Sequence, residues 1–210
     1  MMVLPKFNKY IFWKSVIDFV FSSLLIFVLL PFIFVLFILA TIDTKSYGLF
    51  LQIRIGMYGK PFKIFKVRTI NPSTNVCSRY GGFLRKSKLD ELPQLFNIFL
   101  GQMSFVGPRP DIPGYYDKLV GKDREVLQLK PGVTSRASIK YINEEEILNN
   151  VNNPGYYNDK VIFPEKVKMN LEYLRDFSLK EDLLILRKTY NVYFKSKKSS
   201  IFARSKDNND

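Results

Sequence analysis

The sequence predicts an α+β protein, mostly helical, with an N-terminal re-entrant membrane helix-hairpin broken at Pro31 and a small domain beyond it. Three observations lead there. Residues 19–42 run without a single charged side chain. Two short Phe/Ile/Val-rich segments with glycines between them follow, and then several stretches with helical periodicity. Between Thr44 and Pro110 the only two carboxylates are neighbours, Asp90 and Glu91, set among eleven Lys and Arg.

The apolar run comes first. As a helix, its 24 residues would be about 36 Å long, enough to cross a hydrocarbon core. It is longer than the apolar part of a signal peptide, and Leu39-Ala40-Thr41 is a poor cleavage site. Hydropathy alone favours a single span. Two features oppose it. Pro31 sits at the centre, where it removes a backbone hydrogen bond. Both flanks are basic, with Lys6, Lys9 and Lys14 before the run and Lys45, Arg54 and Lys60 after it. The usual Lys/Arg asymmetry is missing, so both ends prefer the same side. A helix that breaks at Pro31 and returns to its own leaflet satisfies both, with the freed carbonyls capped by Ser22, Ser23 or packed protein.

Next, Leu49 to Ile55 and Pro61 to Ile70 read as two strands joined by a Gly56/Gly59 turn. In the second, Lys66 and Arg68 share a face with Phe62 and Ile64. Asn71 to Ser78 is a polar loop, and Arg79 to Lys86 a short helix. A helix then begins at Asp90 as its N-cap, accommodates Pro93 in its first turn and ends at Gly101, with Leu92, Leu95, Phe96 and Phe99 on one face. That puts the acidic pair at a helix N-terminus, whose free amides favour anions. Pro164 opens another helix, with Val167, Leu171 and Leu174 facing the core. Ser178 to Glu181 is a capping box opening a last one, with Leu183, Leu186, Tyr190 and Tyr193 in register. The organisation is therefore a membrane-inserted segment (1–45), a folded domain (46–194) and a basic polar tail (195–210), which either lacks order or lies on anionic lipid.

The chain's 210 residues carry a net charge of +13, one cysteine and no histidine. The charge calls for an anionic partner: nucleic acid, anionic lipid or a phosphorylated substrate. A lone Cys77 excludes an internal disulfide. The absence of histidine excludes Ser-His-Asp and Cys-His triads and His-ligated zinc. Chemistry is left to carboxylates, Lys, Arg, Tyr or an oxygen-bound metal. Acids repel phosphate unless they react with it or share a metal with it, which makes Asp90-Glu91 more than a helix start. A carboxylate nucleophile must be ionised, and nearby cations favour that form. In Val106-Gly-Pro-Arg-Pro110 two prolines stiffen the backbone around Arg109 and present its guanidinium for bidentate phosphate contact. Lys66 and Arg68 read either as a solvated strand face or as further phosphate ligands. Glu144-Glu145-Glu146 reads as a solvated helix turn. There is no phosphate-binding Gly-rich loop, dinucleotide fingerprint, Asp-x-Asp pair or nucleic-acid module.

Lys88-Leu-Asp-Glu-Leu-Pro-Gln-Leu-Phe-Asn97, followed by Gly101-Gln-Met-Ser-Phe-Val-Gly-Pro-Arg-Pro110, resembles the bacterial sugar transferases, the monotopic phosphoglycosyl transferases of membrane glycan assembly. Gln52-Ile-Arg54-Ile-Gly56, Phe62 to Ile70, Lys130-Pro-Gly-Val-Thr134 and Tyr173 to Leu186 extend the resemblance over nearly the whole chain. It implies transfer of a sugar 1-phosphate from a UDP-sugar to polyprenyl phosphate, with release of UMP. This is the first membrane step of capsule, O-antigen, exopolysaccharide or glycoprotein glycan assembly. It implies Asp90 as nucleophile forming a phosphoglycosyl-aspartyl intermediate, Glu91 as its partner carboxylate and Mg2+ beside Asp90. Lys66, Arg68, Arg85 and Arg109 match basic residues of the family, with Arg109 and Lys66 the foremost candidates for phosphate contact. It further implies a catalytic domain on the cytoplasmic face of the plasma membrane, a re-entrant break at Pro31 and no nucleic-acid partner, and it leaves open a homo-oligomer and contact with downstream glycosyltransferases.

The chain departs from the family pattern at Leu30 (often Ser), at Lys88 (often Ser or Thr), at Gln102 (usually Asp) and through Ser135 to Lys140, a segment expected to contribute to sugar or nucleotide choice. Two other readings compete: a membrane-anchored basic binding protein, and an inactive homologue with a structural role.

Overall fold

The computed structural model describes the backbone of residues 5–206 and the side chains of residues 10–193. Eight α-helices and four short strands are described, with short 3₁₀ and π turns between them. A 40-residue helix, α1 (Pro5–Thr44), is followed by a hairpin of β1 (Leu49–Ile55) and β2 (Pro61–Val67). Then come α2 (Arg79–Ser87), α3 (Gln94–Phe99), β3 (Ser104–Val106) and β4 (Gly132–Thr134). The chain closes with α4 (Arg136–Lys140), α5 (Glu144–Asn149), α6 (Pro154–Tyr157), α7 (Phe163–Arg175) and α8 (Leu179–Lys206). The expected mixture of a small β element and a helical second half is what forms.

Helix α1 is the one described helix long and apolar enough to cross a membrane. At the usual rise it is about 60 Å long, and it runs through Pro31 as a single helix. Its packing follows a stripe at helical spacing. Lys14, Asp18, Ser22, Ile33, Leu36, Ala40 and Thr44 are buried, and Ile26 and Leu29 are partly buried. The other faces are apolar and exposed, including Phe21, Leu24, Phe27, Val28 and Phe34. Leu36 and Ala40 join Val67 and Leu84 in one core cluster; Ile26 and Leu29 pack on another, built of Ile64, Leu95, Ile98 and Met103. Pro31 leaves the Phe27 carbonyl without its helical donor. Ser22 and Ser23 do not reach it: both donate to the Phe19 carbonyl, at 3.1 and 2.7 Å, because a serine hydroxyl reaches back along its own helix.

The β1–β2 hairpin is antiparallel, with Phe50 opposite Lys66 and Arg54 opposite Phe62. Strand β2 stops at Val67 rather than Ile70. Ile70 makes only a lone bridge to Cys77, closing the polar loop. Asn97 of α3 is fully buried. It accepts from the Phe65 N–H at 2.9 Å and donates to Lys63 O and Gln102 Oε1, both at 2.8 Å. One amide thus pins β2 to α3, and Gln102 serves as its acceptor.

Strands β3 and β4 were not legible in the sequence. They pair in parallel, Ser104 with Gly132 and Val106 with Thr134. Gly107 N donates to Thr134 O at 2.9 Å and Gly132 N to Pro108 O at 2.8 Å. The two backbones are so close that a Cβ on Gly132 would lie 2.1 Å from Gly107 N. Gly132→Ala is therefore expected to cost about 3 kcal/mol and to loosen the loop carrying Arg109. Thermal unfolding of the purified variant measures the first effect; unchanged stability would show that the backbones can separate freely.

Helix α7 buries Val167, Asn170 and Tyr173, with Leu171 and Leu174 half-buried beside them. The start of α8 is capped as expected, Glu181 N donating to Ser178 Oγ at 3.3 Å. Its inward face differs from expectation. Asp182 and Ile185 are buried, whereas Leu183, Leu186, Tyr190 and Tyr193 are exposed. The reason is Asp182, which accepts from Lys14, Tyr10 and Tyr173 and so rotates a polar residue inward. The backbone of α8 continues to Lys206 through most of the segment expected as a tail. The expected lipid contact of that tail lies outside the described side chains.

Candidate active site

Asp90 and Glu91 lie in a tight 3₁₀ turn (Leu89–Glu91) between α2 and α3. Helix α2 ends at Lys88, which adopts a left-handed conformation (φ 60°, ψ 17°), a geometry more usual for glycine at a helix end. The reversal sends Leu89 and Leu92 against the α1-facing core and turns Asp90 inward. Asp90 is not the N-cap of α3: that helix begins at Gln94, after Pro93. Nor does the turn offer a row of free amides. Glu91 N bonds Lys88 O at 3.2 Å, Leu92 N bonds Leu89 O at 3.3 Å and Leu95 N bonds Leu92 O at 3.1 Å. Pro93 has no N–H, and 3₁₀ bonding takes up the Glu91, Leu92 and Leu95 amides.

The two carboxylates have opposite surroundings. Asp90 is 8% exposed, and its Oδ1 is buried without a hydrogen-bond partner among the described residues. Burial, then the charge of Glu91, push its carboxyl above the usual range, against the pull of Lys66 and Lys88. The basic residues expected to keep Asp90 ionised are spent elsewhere. Glu91 Oε1 accepts from both Lys66 Nζ at 3.0 Å and Arg109 Nη2 at 2.9 Å. Burial works to raise this carboxyl too, but the Arg109 and Lys66 cations outweigh it and hold it down at about 2. The pair is thus split into one clamped, ionised carboxylate and one more basic carboxylate with a free oxygen. Such a division suits distinct roles for two neighbouring acids.

Each cation arrives on a fixed element. Lys66 comes from β2. Arg109 comes from the loop behind β3, held by the Gly107–Gly132 approach, and its side chain is 50% exposed. Arg54 on β1 supports that loop, donating to Pro110 O at 3.3 Å while two of its nitrogens hold Gln52 Oε1. Gln52 and Arg54 share a strand face, and that period-two pairing beside the other basic residues is the signal that could have marked them. Tyr193 of α8, though 42% exposed, lies near enough to feel the site: partial burial, then the Glu91 charge, push its phenol up.

The remaining predicted residues lie apart from this cluster. Arg68 donates to Tyr47 O at 2.7 Å and Leu49 O at 3.4 Å and lies over the Phe50 ring, bracing the entry to β1. Arg85 is exposed in the last turn of α2. Side chains of Ser135 to Lys140 tie α4 to its neighbours: Arg136 pairs with Asp176 and Glu181, and Lys140 with Glu165. Glu144, expected to be merely solvated, pairs with Lys166 at 2.7 Å.

Among the described residues no cluster of three or more His, Cys, Asp or Glu could cage a metal. Magnesium needs less, since it commonly binds through one or two carboxylates with water and substrate phosphates. The unpartnered Asp90 Oδ1 fits as such a single ligand.

A family model described as bacterial sugar transferase matches residues 9–196. A Klebsiella pneumoniae protein named UDP-glucose:undecaprenyl-phosphate glucose-1-phosphate transferase is 30% identical over 190 residues, covering 83% of this chain and 38% of that protein. A Caulobacter vibrioides protein of the same name is 28% identical over 191 residues, covering 84% of this chain and 67% of that protein. An Aeromonas hydrophila protein named UDP-N-acetylgalactosamine-undecaprenyl-phosphate N-acetylgalactosaminephosphotransferase is 27% identical over 198 residues, 86% of this chain and 43% of that protein. The match covers most of α1, the acidic pair and the Pro-Arg-Pro loop together, and the chain belongs to the bacterial sugar transferase family.

Proposed function

We propose that this protein transfers a sugar 1-phosphate from a UDP-sugar to polyprenyl phosphate through a covalent aspartyl intermediate. The observation that carries the reading is the split acidic pair: a buried Asp90 with a free oxygen beside a Glu91 clamped by Lys66 and Arg109. An Asp90 carboxylate oxygen attacks the β-phosphorus of the donor. The bond from that phosphorus to the bridging oxygen breaks, its electrons stay on the oxygen and UMP departs. A phosphate oxygen of the lipid then attacks the same phosphorus and returns the carboxylate to Asp90. The product is a polyprenyl-diphosphate-linked sugar. Dividing the transfer lets one site serve a soluble donor and a lipid acceptor in turn.

Glu91, held ionised, keeps Lys66 and Arg109 aligned toward the incoming phosphates. The exposed side of Arg109 meets phosphoryl oxygens, where a fixed cation stabilises developing charge. Bound at Asp90 Oδ1, Mg2+ would neutralise further phosphoryl charge. Arg68 acts on the backbone rather than on substrate, and Arg85 remains a candidate for phosphate contact at the rim.

The membrane placement follows the same reasoning. Lys14 near one end of α1 pairs with Asp182, and at the other end Asp43 accepts from Ser78 and Thr41 from Gly48 N. A single domain holding both ends supports a helix whose ends share one side, bent into the leaflet at Pro31. The basic flanks favour the cytoplasmic side.

Incubating membranes containing the protein with polyprenyl phosphate and a panel of UDP-sugars, UDP-glucose and UDP-N-acetylgalactosamine among them, tests the proposal. UMP release with at least one donor, dependent on the lipid for multiple turnovers, is expected. A folded protein that yields no UMP from any donor would remove it.

A further inference from the structure

Asp18 is a carboxylate on the membrane helix that the chemistry above does not use. It is buried on the α1 face that meets the domain. Its Oδ1 accepts from the Phe105 N–H at 3.3 Å, its Oδ2 is buried without a geometric hydrogen bond among the described residues, and the Ser104 hydroxyl lies beside the carboxylate. Phe105 is the middle residue of β3. Ser104 and Val106 on either side pair with β4, so the Phe105 amide points to the side where no strand lies. A parallel strand alternates its hydrogen bonds between its two neighbours, and here Asp18 takes the place of the absent one. The cations of Lys14 and Lys130 lie near it, and Lys130 itself donates to Ser15 of α1 at 3.0 Å.

Four residues beyond Phe105 is Arg109. The intervening backbone has little slack: Gly107 abuts Lys130 O and Gly132 N, and Pro108 and Pro110 fix φ on either side of the arginine. We infer that Asp18 is a positioning residue, which transmits the seating of the membrane helix through β3 to Arg109 and so sets the Arg109–Glu91 contact. The inference rests on the reading of Asp90 and Glu91 as the reacting pair. It gives the buried acid of α1 a task in the reaction: the clamp on Glu91 closes correctly only when the helix is docked.

The test uses the full chain in lipid nanodiscs with polyprenyl phosphate and whichever of UDP-glucose or UDP-N-acetylgalactosamine the wild type turns over. Asp18→Ala is expected to lower kcat/KM by about 10- to 100-fold, the range for a small misplacement at a reacting centre. Asp18→Asn keeps an acceptor for Phe105 N–H and restores activity to within about threefold. On an Arg109→Ala background the Asp18→Ala factor shrinks to less than about twofold, because both changes act through one group. Equal losses on both backgrounds, or no rescue by a folded Asp18→Asn, overturn the inference. Hydrogen exchange at the Phe105 and Gly107 amides reads the linkage without turnover. If the wild type releases no UMP but Asp18→Ala speeds exchange there, the catalytic reading has failed and the linkage stands. Unchanged exchange removes the linkage itself.

Discussion

Replacing Asp90 with asparagine is expected to lower UMP release by at least about 10³-fold, because a neutral amide oxygen cannot form the aspartyl phosphate. Its isosteric shape leaves the 3₁₀ turn intact, so the loss is chemical. Donor alone, without lipid, is expected to give a burst of about one UMP per wild-type active site and none in the variant. Undiminished release from Asp90→Asn would end the nucleophile assignment. The pH profile carries a second signature. Burial and the Glu91 charge raise the Asp90 carboxyl, so its protonated form persists above the ordinary range of about 4. Activity, which needs the ionised form, is lost as pH falls through that raised value, and the acid limb of kcat/KM lies correspondingly high. Glu91→Gln removes the neighbouring charge and frees Lys66 and Arg109 to act on Asp90. Both changes favour the Asp90 carboxylate, so the limb of the slower residual reaction moves to lower pH. A limb that stays put or moves upward would show that another group titrates.

The acidic pair was legible because composition isolates it: two acids among eleven basic residues need a chemical reason. Which acid the bases serve was not legible. Charge counting assigns Lys66 and Arg109 to Asp90. In the fold, one turn of chain after Lys88 carries Glu91 toward β2 and the Arg109 loop and turns Asp90 into the core. The strands β1 and β2 and the helices α2, α7 and α8 follow local pattern and capping, and those the sequence predicted. Strands β3 and β4 are three residues each and are separated by 25 residues of chain, too short for periodicity to register. The glycines of Val106-Gly-Pro-Arg-Pro110 and Lys130-Pro-Gly-Val-Thr134 showed as motif letters, but their reason is a backbone contact between distant segments. Likewise, uniform apolarity hides which face of α1 is buried. The informative residues are the polar ones within or beside the run, Lys14, Asp18, Ser22 and Thr44, all on the stripe that meets the domain.

That stripe gives the largest expected stability effect. Asp182 of α8 accepts from Tyr10 at 2.8 Å and also from Lys14 and Tyr173, all three donors converging on one buried carboxylate. Burial, then the Asp182 charge, push the Tyr173 phenol far up, so it remains a donor throughout the working pH range. Asp182→Leu leaves the Lys14 ammonium buried without its partner, a loss expected to cost about 3–5 kcal/mol. Adding Lys14→Met removes the stranded charge and replaces the pair with apolar surface, which is often neutral in a buried setting. The double variant is therefore expected to recover only part of the loss, because the Tyr10 and Tyr173 hydroxyls still lack an acceptor, which costs about 1–3 kcal/mol for a buried group left unpaired. Unfolding of the four proteins in the same detergent measures the cycle. Strict additivity would mean that Lys14 and Asp182 act independently, and the N-terminal end of α1 would then be held by its other contacts, those of Tyr10, Ser15 and Asp18 among them. Strong coupling makes this ion pair a fastening of α1 to α8, about one turn of helix from the contact of Asp18 with β3.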